Sequence, residues 1–211
     1  MVDEAQNVEQ LIERISSKRP DLAEFRLDRL QNSGLVEKIG RAKTFPAIAT
    51  DRSKRINSES EGLLLAAAAS GFEYVDLDVG RAHSGGVIEK VKACGARIIM
   101  SHHDHTRTPS VNDLSGILRS QQENGADLFK IVTTAQRPRD NLTVLGFLEN
   151  KPTDTKLVSF AMGSIGVPSR VLSPVFGAEF TFAALTDDSA TADGQLSIDR
   201  LRSVWQSLGL Q

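Results

Sequence analysis

The chain has 211 residues, 25 Lys plus Arg against 27 Asp plus Glu, a formal net charge of −2 and one cysteine. So even a balance leaves no electrostatic footprint for nucleic acid or an anionic membrane, and Cys94 alone can form neither an intramolecular disulfide nor a zinc cluster. The start, "MVDEAQNVEQ", lacks the regions of a signal peptide, and the longest apolar run, Leu63 to Ala69, is too short to span a bilayer, so a cytoplasmic protein acting on a small molecule is expected.

No Pro/Ser/Gly-rich linker or charge run divides residues 1–211, which read as a single domain. Val8, Leu11, Ile12 and Ile15 repeat at helical spacing, and Pro20 stops that helix before a strand near 23–27. Further strands are predicted near 46–50, 73–77, 97–101, 127–132, 156–161 and 179–183. Three of these share one grammar: in "SGFEYVDLDV", "CGARIIMSHHD" and "NGADLFKIVTT" a glycine (Gly71, Gly95, Gly125) follows a helical pattern and precedes an apolar strand, as left-handed helix caps do. Ser110, with Asp113 three residues on, caps a helix presenting Leu114, Ile117 and Leu118. Ser197 stands before a last stripe of Ile198, Leu201, Trp205 and Leu208.

Strands alternating with helices at this rhythm predict a parallel sheet with helical crossovers. Glu24, Arg26, Arg52, Asp76, Asp78, His103, Lys130 and Arg170 fall at or just past strand ends in nearly every unit. A (β/α)8 TIM-type barrel gathers those ends at one mouth, whereas an open sheet concentrates them at one switch point, so the barrel is favoured. No G-x-G-x-x-G follows a strand, which removes the sequence case for a dinucleotide.

Lys130, inside the apolar strand "ADLFKIVTT", alternates with Phe129 and Ile131 and shares a face with Leu128 and Val132. With the aromatic face on the helices, Lys130 points into the barrel. Desolvation there disfavours an ammonium, and a neutral amine attacks carbonyls to form Schiff bases. The competing reading is a strand-end lysine whose head reaches water. In "MSHHDHTRTPS" no Cys or Glu completes a metal ligand set, so one histidine beside Asp104 reads as a general acid/base and the others as loop residues. Glu24 and Arg26 face one way, as an internal ion pair or as ligand groups. Arg52 and Arg170 add guanidinium groups suited to a carboxylate or phosphate, or are scattered surface arginines. Gly163 and Gly166 form a loop where barrels often bind phosphate, and "TADGQ" is a polar loop able to fold over the mouth.

Taken in order, "AEFRLD", "AIATDR", "YVDLDV", "MSHHD", "ADLFKI", "SFAMGSIGVPSR", "VFGAEFTFAAL" and "DGQLSIDRLR" resemble the type I 3-dehydroquinate dehydratases of the shikimate pathway over nearly the whole chain. The resemblance implies a (β/α)8 barrel, a homodimer, no metal and no organic cofactor, with 3-dehydroquinate as substrate. It assigns Lys130 as the Schiff-base lysine and His103 as the general acid/base. Glu24, Arg26, Arg52, Arg170, Thr191 and Gln195 match substrate-binding positions, and Met162 and Phe182 match pocket-lining ones. Three departures stand out. The family's first strand is missing ahead of the first helix, Ile56 stands where the family has a glutamate near the histidine, and Ser189 competes with Thr191 in a longer last loop. Glu59 and Glu61 lie near that glutamate position, but "SESE" reads as a capping box from Ser58 to Glu61. A class I aldolase-like Schiff-base barrel, which needs a phosphate site, and a catalytically inactive barrel used for binding or assembly are the alternatives.

Overall fold

The computed structural model describes residues 4–30, 33–53, 58–79, 86–189 and 192–210. Strands β1 (Ala23–Arg26), β2 (Ala47–Thr50), β3 (Tyr74–Asp78), β4 (Arg97–His103), β5 (Leu128–Thr134) and β6 (Leu157–Met162) alternate with helices. The helices are α1 (Glu4–Ser17), α2 (Ser33–Ala42), α3 (Ser58–Ala69), α4 (Val87–Ala93), α5 (Val111–Gln122), α6 (Arg139–Glu149), α7 (Val167–Leu172) and α8 (Ile198–Ser207). Strand order follows sequence order, β1-β2-β3-β4-β5-β6. That is the winding of a (β/α) barrel sheet, not of a doubly wound sheet, whose order reverses at a switch point. The chain divides into two compact units, Met1–Met100 and Ser101–Gln211, with β4 beginning in the first and ending in the second.

In the first unit β1 pairs with β2, and β2 with β3, both parallel, with Glu24 opposite Ile48 and Thr50 opposite Asp76. The helix face of this sheet is aromatic: Phe25 stacks on Phe45 at 6.4 Å between centroids and meets Phe72 edge-on at 5.7 Å. Val8, Ile12 and Ile15 of α1 are buried at the spacing read from sequence, and Leu11 is half-buried. Gly71 and Gly95 both have positive φ, 99° and 88°, as the cap reading requires. Gly40 lies where α2 and α3 approach closely, since a Cβ there would strike the backbone carbonyl and side chain of Ser70.

The second unit is built on β5 and β6, parallel and in register from Phe129 opposite Leu157 to Thr134 opposite Met162. Pleating puts Lys130, Val132, Thr134, Val158, Phe160 and Met162 on one face, with Ile131 and Ala161 on the other. Ala161 packs with Val144 of α6 and Ala135, so the second face is the helix face. Ser110 caps α5 by accepting from Asp113 N, and Ser197 caps α8 by accepting from Arg200 N. Gly125 takes φ 69° before β5.

Among the described residues the strand predicted near 179–183 does not form. Its first residue donates once to the sheet, Glu179 N to Leu157 O at 3.0 Å, but the Thr181 hydroxyl turns away to Arg170 O at 2.8 Å. Pairing resumes only as a single parallel bridge between Ala184 and Ser197. The apolar alternation of "AEFTF" is real, but a ladder needs successive backbone partners and this segment has one. Leu208, expected on the apolar stripe of α8, caps the helix from an exposed position instead.

Candidate active site

In the first unit Arg26 and Arg52, at the C-terminal ends of β1 and β2, each have an acidic partner. Arg26 closes β1 and grips Asp28 with two bonds, Nε to Oδ1 and Nη2 to Oδ2, both 2.8 Å. The intervening 3₁₀ turn, Leu27–Arg29, reverses the chain so that the two side chains meet. Asp28 Oδ1 also accepts from the Arg52 backbone N–H at 3.2 Å. Burial pushes the Asp28 carboxyl up, but these bonds to Arg26 and Arg52 hold it below the ordinary aspartate range. Arg52 Nη2 donates to the buried Asp76 at 2.8 Å. Burial opposes the Arg52 charge, and the carboxylate of Asp76, with Glu24 and Asp78 further off, more than offsets it and raises its pKa. Glu24 accepts from Thr50 Oγ1 at 2.8 Å.

The second unit holds two basic groups of a different kind. Lys130 is 5% exposed in mid-strand, and its Nζ lies 4.2 Å from the centroid of the Phe182 ring. Phe182 leans on Phe160 at 6.2 Å and on Phe180 at 5.5 Å. Against the Phe160 ring, again at 4.2 Å, lies the guanidinium of Arg170. Two basic groups thus stand on two adjoining aromatic rings, and the backbone delivers them separately. Lys130 comes from the β5 pleat. Arg170 comes from α7, whose first turn is fastened by Ser169: its Oγ accepts from Ala161 N (2.9 Å) and donates to Gly166 O (2.8 Å), and its N–H donates to Asn141 Oδ1 (3.0 Å). Gly166 admits no side chain, because a Cβ would strike the Ala161 carbonyl.

Arg170 is buried, with one long hydrogen bond, Nη1 to Phe182 O at 3.4 Å. Its Nε and Nη2 find no acceptor among the described residues, and burial drags its pKa down to about 10. A guanidinium kept from water with N–H groups to spare suits a planar anion such as a carboxylate.

His103 ends β4, half-buried, with its ring nearly parallel to that of His105 at 6.0 Å. Among the described residues no group of three or more His, Cys, Asp or Glu is placed to hold a metal ion. Met162 closes β6, half-buried, on the pleat face of Lys130. Gln195 follows Gly194, which takes φ 73° with its Cα against the Gly163 carbonyl; Gly163 N donates to Asp193 O at 3.2 Å. Ser189 bonds within its own turn, its Oγ accepting from Thr186 N and donating to Thr186 O. Thr191 and Ile56 lie outside the described residues, as do the side chain of Ser58 and hence its capping box.

Phe160 was not among the residues singled out from sequence, yet it supports Arg170. Its signal was present in "LVSFAM", where it alternates onto the face of Met162, but which strand lies beside it is not a local property. The bonds that Asp28 and Asp76 make to Arg52 are likewise recognisable only once the neighbouring strands are known.

A sequence profile described as Type I 3-dehydroquinase matches residues 1–211. A 3-dehydroquinate dehydratase of Pyrococcus abyssi is 32% identical over 212 residues, covering 97% of this chain and 95% of the relative. One from Dehalococcoides mccartyi is 35% identical over 156 residues, 73% of this chain and 69% of the relative. The crystal structure of 3-dehydroquinate dehydratase from Geobacillus kaustophilus superposes with a TM-score of 0.86 at 25% identity, covering 97% of this chain and 87% of that one.

Proposed function

The chain belongs to the type I 3-dehydroquinase family, and from that premise we propose that it converts 3-dehydroquinate to 3-dehydroshikimate and water through an imine on Lys130. The observation that carries the reading is the pair of basic groups on adjoining rings. One is a buried primary amine in a strand, and the other is a buried guanidinium with two nitrogens unpartnered among the described residues.

Lys130 Nζ attacks the C3 ketone, and the carbinolamine expels its oxygen as water to leave an iminium. The Phe182 ring, 4.2 Å from that nitrogen, presents its negative face to the cation. The iminium draws electrons from the C2–H bond, and His103 takes the proton to give an enamine. The enamine pair expels the C1 hydroxyl, which leaves as water with the proton His103 holds. Hydrolysis of the conjugated imine frees 3-dehydroshikimate and restores the amine. A positioned acid/base of this kind contributes roughly 10²–10⁴-fold. Arg170 fixes the substrate carboxylate so that ketone and amine meet productively. Glu24, Arg26, Arg52, Thr191 and Gln195 take the substrate-binding roles that the family resemblance gives them, and Met162 and Phe182 line the pocket.

Borohydride reduction in the presence of 3-dehydroquinate tests this directly. The expected result is a reduced adduct on Lys130 by peptide mass mapping. Lys130→Ala gives none and no turnover, while His103→Ala still forms the adduct but turns over roughly 10²–10⁴-fold more slowly. A Lys130→Ala variant that dehydrates the substrate excludes the imine route. No metal or organic cofactor enters these steps, so chelation leaves the rate unchanged.

We also propose a single catalytic domain, a homodimer and a cytoplasmic location. The profile match over residues 1–211 supports the first and the family resemblance the second; a sedimentation mass of one chain contradicts the dimer. No described helix is long and apolar enough to cross a membrane, which agrees with the third.

A further inference from the structure

His103 is the last residue of β4, and the residue after it is held by both of its backbone groups. Asp104 N donates to Val132 O at 2.9 Å, and Asp104 O accepts from Thr134 Oγ1 at 2.8 Å. Val132 and Thr134 lie two and four residues beyond Lys130 on β5, in phase with its side chain. The rest of Thr134 is spent on the same loop: its N–H donates to Arg107 O at 3.2 Å and its carbonyl accepts from Thr108 Oγ1 at 3.0 Å. Inside the loop the Asp104 carboxylate accepts from Thr106 N, Thr106 Oγ1 and Arg107 N at 2.8, 2.7 and 3.0 Å. Gln136 Nε2 ties Thr106 O from the far side of Thr134 at 2.8 Å.

We propose that Thr134 and Asp104 are positioning residues for the reaction: by fastening the peptide that follows His103 to the strand carrying Lys130, they set the reach of the imidazole toward the carbon beside the imine. The inference rests on the dehydratase reading above. Its physical basis is that a strand's last residue has no ladder beyond it, so its backbone angle, and with it the aim of the ring, is set by whatever holds the next peptide. One neutral hydrogen bond contributes too little to decide whether the protein folds. A displacement of roughly 1 Å at a reacting group is nevertheless worth up to about 10²-fold in rate. Lys130 sits four residues earlier, inside the paired length of β5 and β6, so its own chemistry does not depend on this anchor.

Thr134→Val keeps the side-chain shape and removes the donor. We expect kcat on 3-dehydroquinate to fall about tenfold or more, with the borohydride-trapped Lys130 adduct at parent yield and the melting temperature little changed. Thr134→Ser, which keeps the donor to Asp104 O, restores most of the lost rate. An unimpaired Thr134→Val beside an active parent overturns the inference alone. So does a Thr134→Val that loses adduct and turnover together, or a Thr134→Ser no better than the valine, since either marks a packing role. A parent protein that forms no adduct and no product overturns the dehydratase reading and this inference with it.

Discussion

Arg170 shows at a single residue how the group proposed to bind the substrate opposes stability. It is 2% exposed, it lies on Phe160, and its Nε and Nη2 have no acceptor among the described residues. Burying an ion without a partner is unfavourable, and the lowering of its pKa to about 10 expresses that. For a base with a depressed folded pKa the sign is definite: the penalty is present wherever the group is charged in both states, including neutral pH. It fades only as pH rises through about 10 and beyond. Arg170→Met retains an aliphatic stem on the ring and removes the charge, so at pH 7 it should melt higher, by about 2–4 °C for each kcal/mol regained. On the proposed role the same change removes the partner of the substrate carboxylate, and with charged hydrogen bonds worth roughly 1.5–3 kcal/mol each, kcat/KM should fall about 10²-fold. Calorimetry and steady-state kinetics on one preparation check both; a variant that melts lower, or keeps the parent kcat/KM, contradicts the role.

At the level of elements, Gly163 and Gly194 perform a joint task. The loop bearing Gln195 is laid against the turn after β6 by Gly163 N to Asp193 O and by a backbone contact so close that a Cβ on Gly194 would strike the Gly163 carbonyl. Gly194 also needs its φ of 73°, which other L-residues seldom adopt. Gly194→Ala should therefore lift the loop without disturbing the paired strands: circular dichroism and melting stay near the parent while kcat/KM drops at least about tenfold. Full activity in that variant removes Gln195 from the site. Such contacts mark the limit of what sequence discloses. The six strands, the caps at Gly71, Gly95 and Gly125, and the helix starts at Ser110 and Ser197 were legible because each is decided by residues within one turn or one pleat. The residue pairs Lys130–Phe182, Arg170–Phe160 and Thr134–Asp104, and the failure of 179–183 to pair, depend on which segments become neighbours, and no local pattern carries that.

Across the whole molecule three aspartates do the same work after strands in both units. Asp28 joins Arg26 to the backbone of Arg52 in the first unit. In the second, Asp104 organises the loop after His103, and Asp140 Oδ2 accepts from Gln136 N and Arg137 N at 2.8 and 3.1 Å ahead of α6. In each, burial pushes the carboxyl up but hydrogen bonds and a nearby arginine outweigh it, so the folded pKa lies below the ordinary 3.8. A depressed carboxylate pKa means that the stabilisation is fully present above the unfolded value and is lost as pH falls through the folded one. The strand ladders, by contrast, are backbone bonds between neutral groups and do not titrate. Acid should therefore act on the loops before the sheet. As pH drops below about 4, amide protection at Thr106, Arg107, Gln136 and Arg137 should decline while β5 and β6 keep theirs, and turnover regained on return to neutral pH should precede any refolding of the strands. Asp104→Asn and Asp140→Asn, which keep acceptor oxygens but cannot titrate, should each abolish the pH dependence of their own loop and leave the other's intact. Hydrogen exchange resolved by residue across an acid titration decides this: strand and loop protection vanishing together at one pH means that these carboxylates are merely carried along by a global transition.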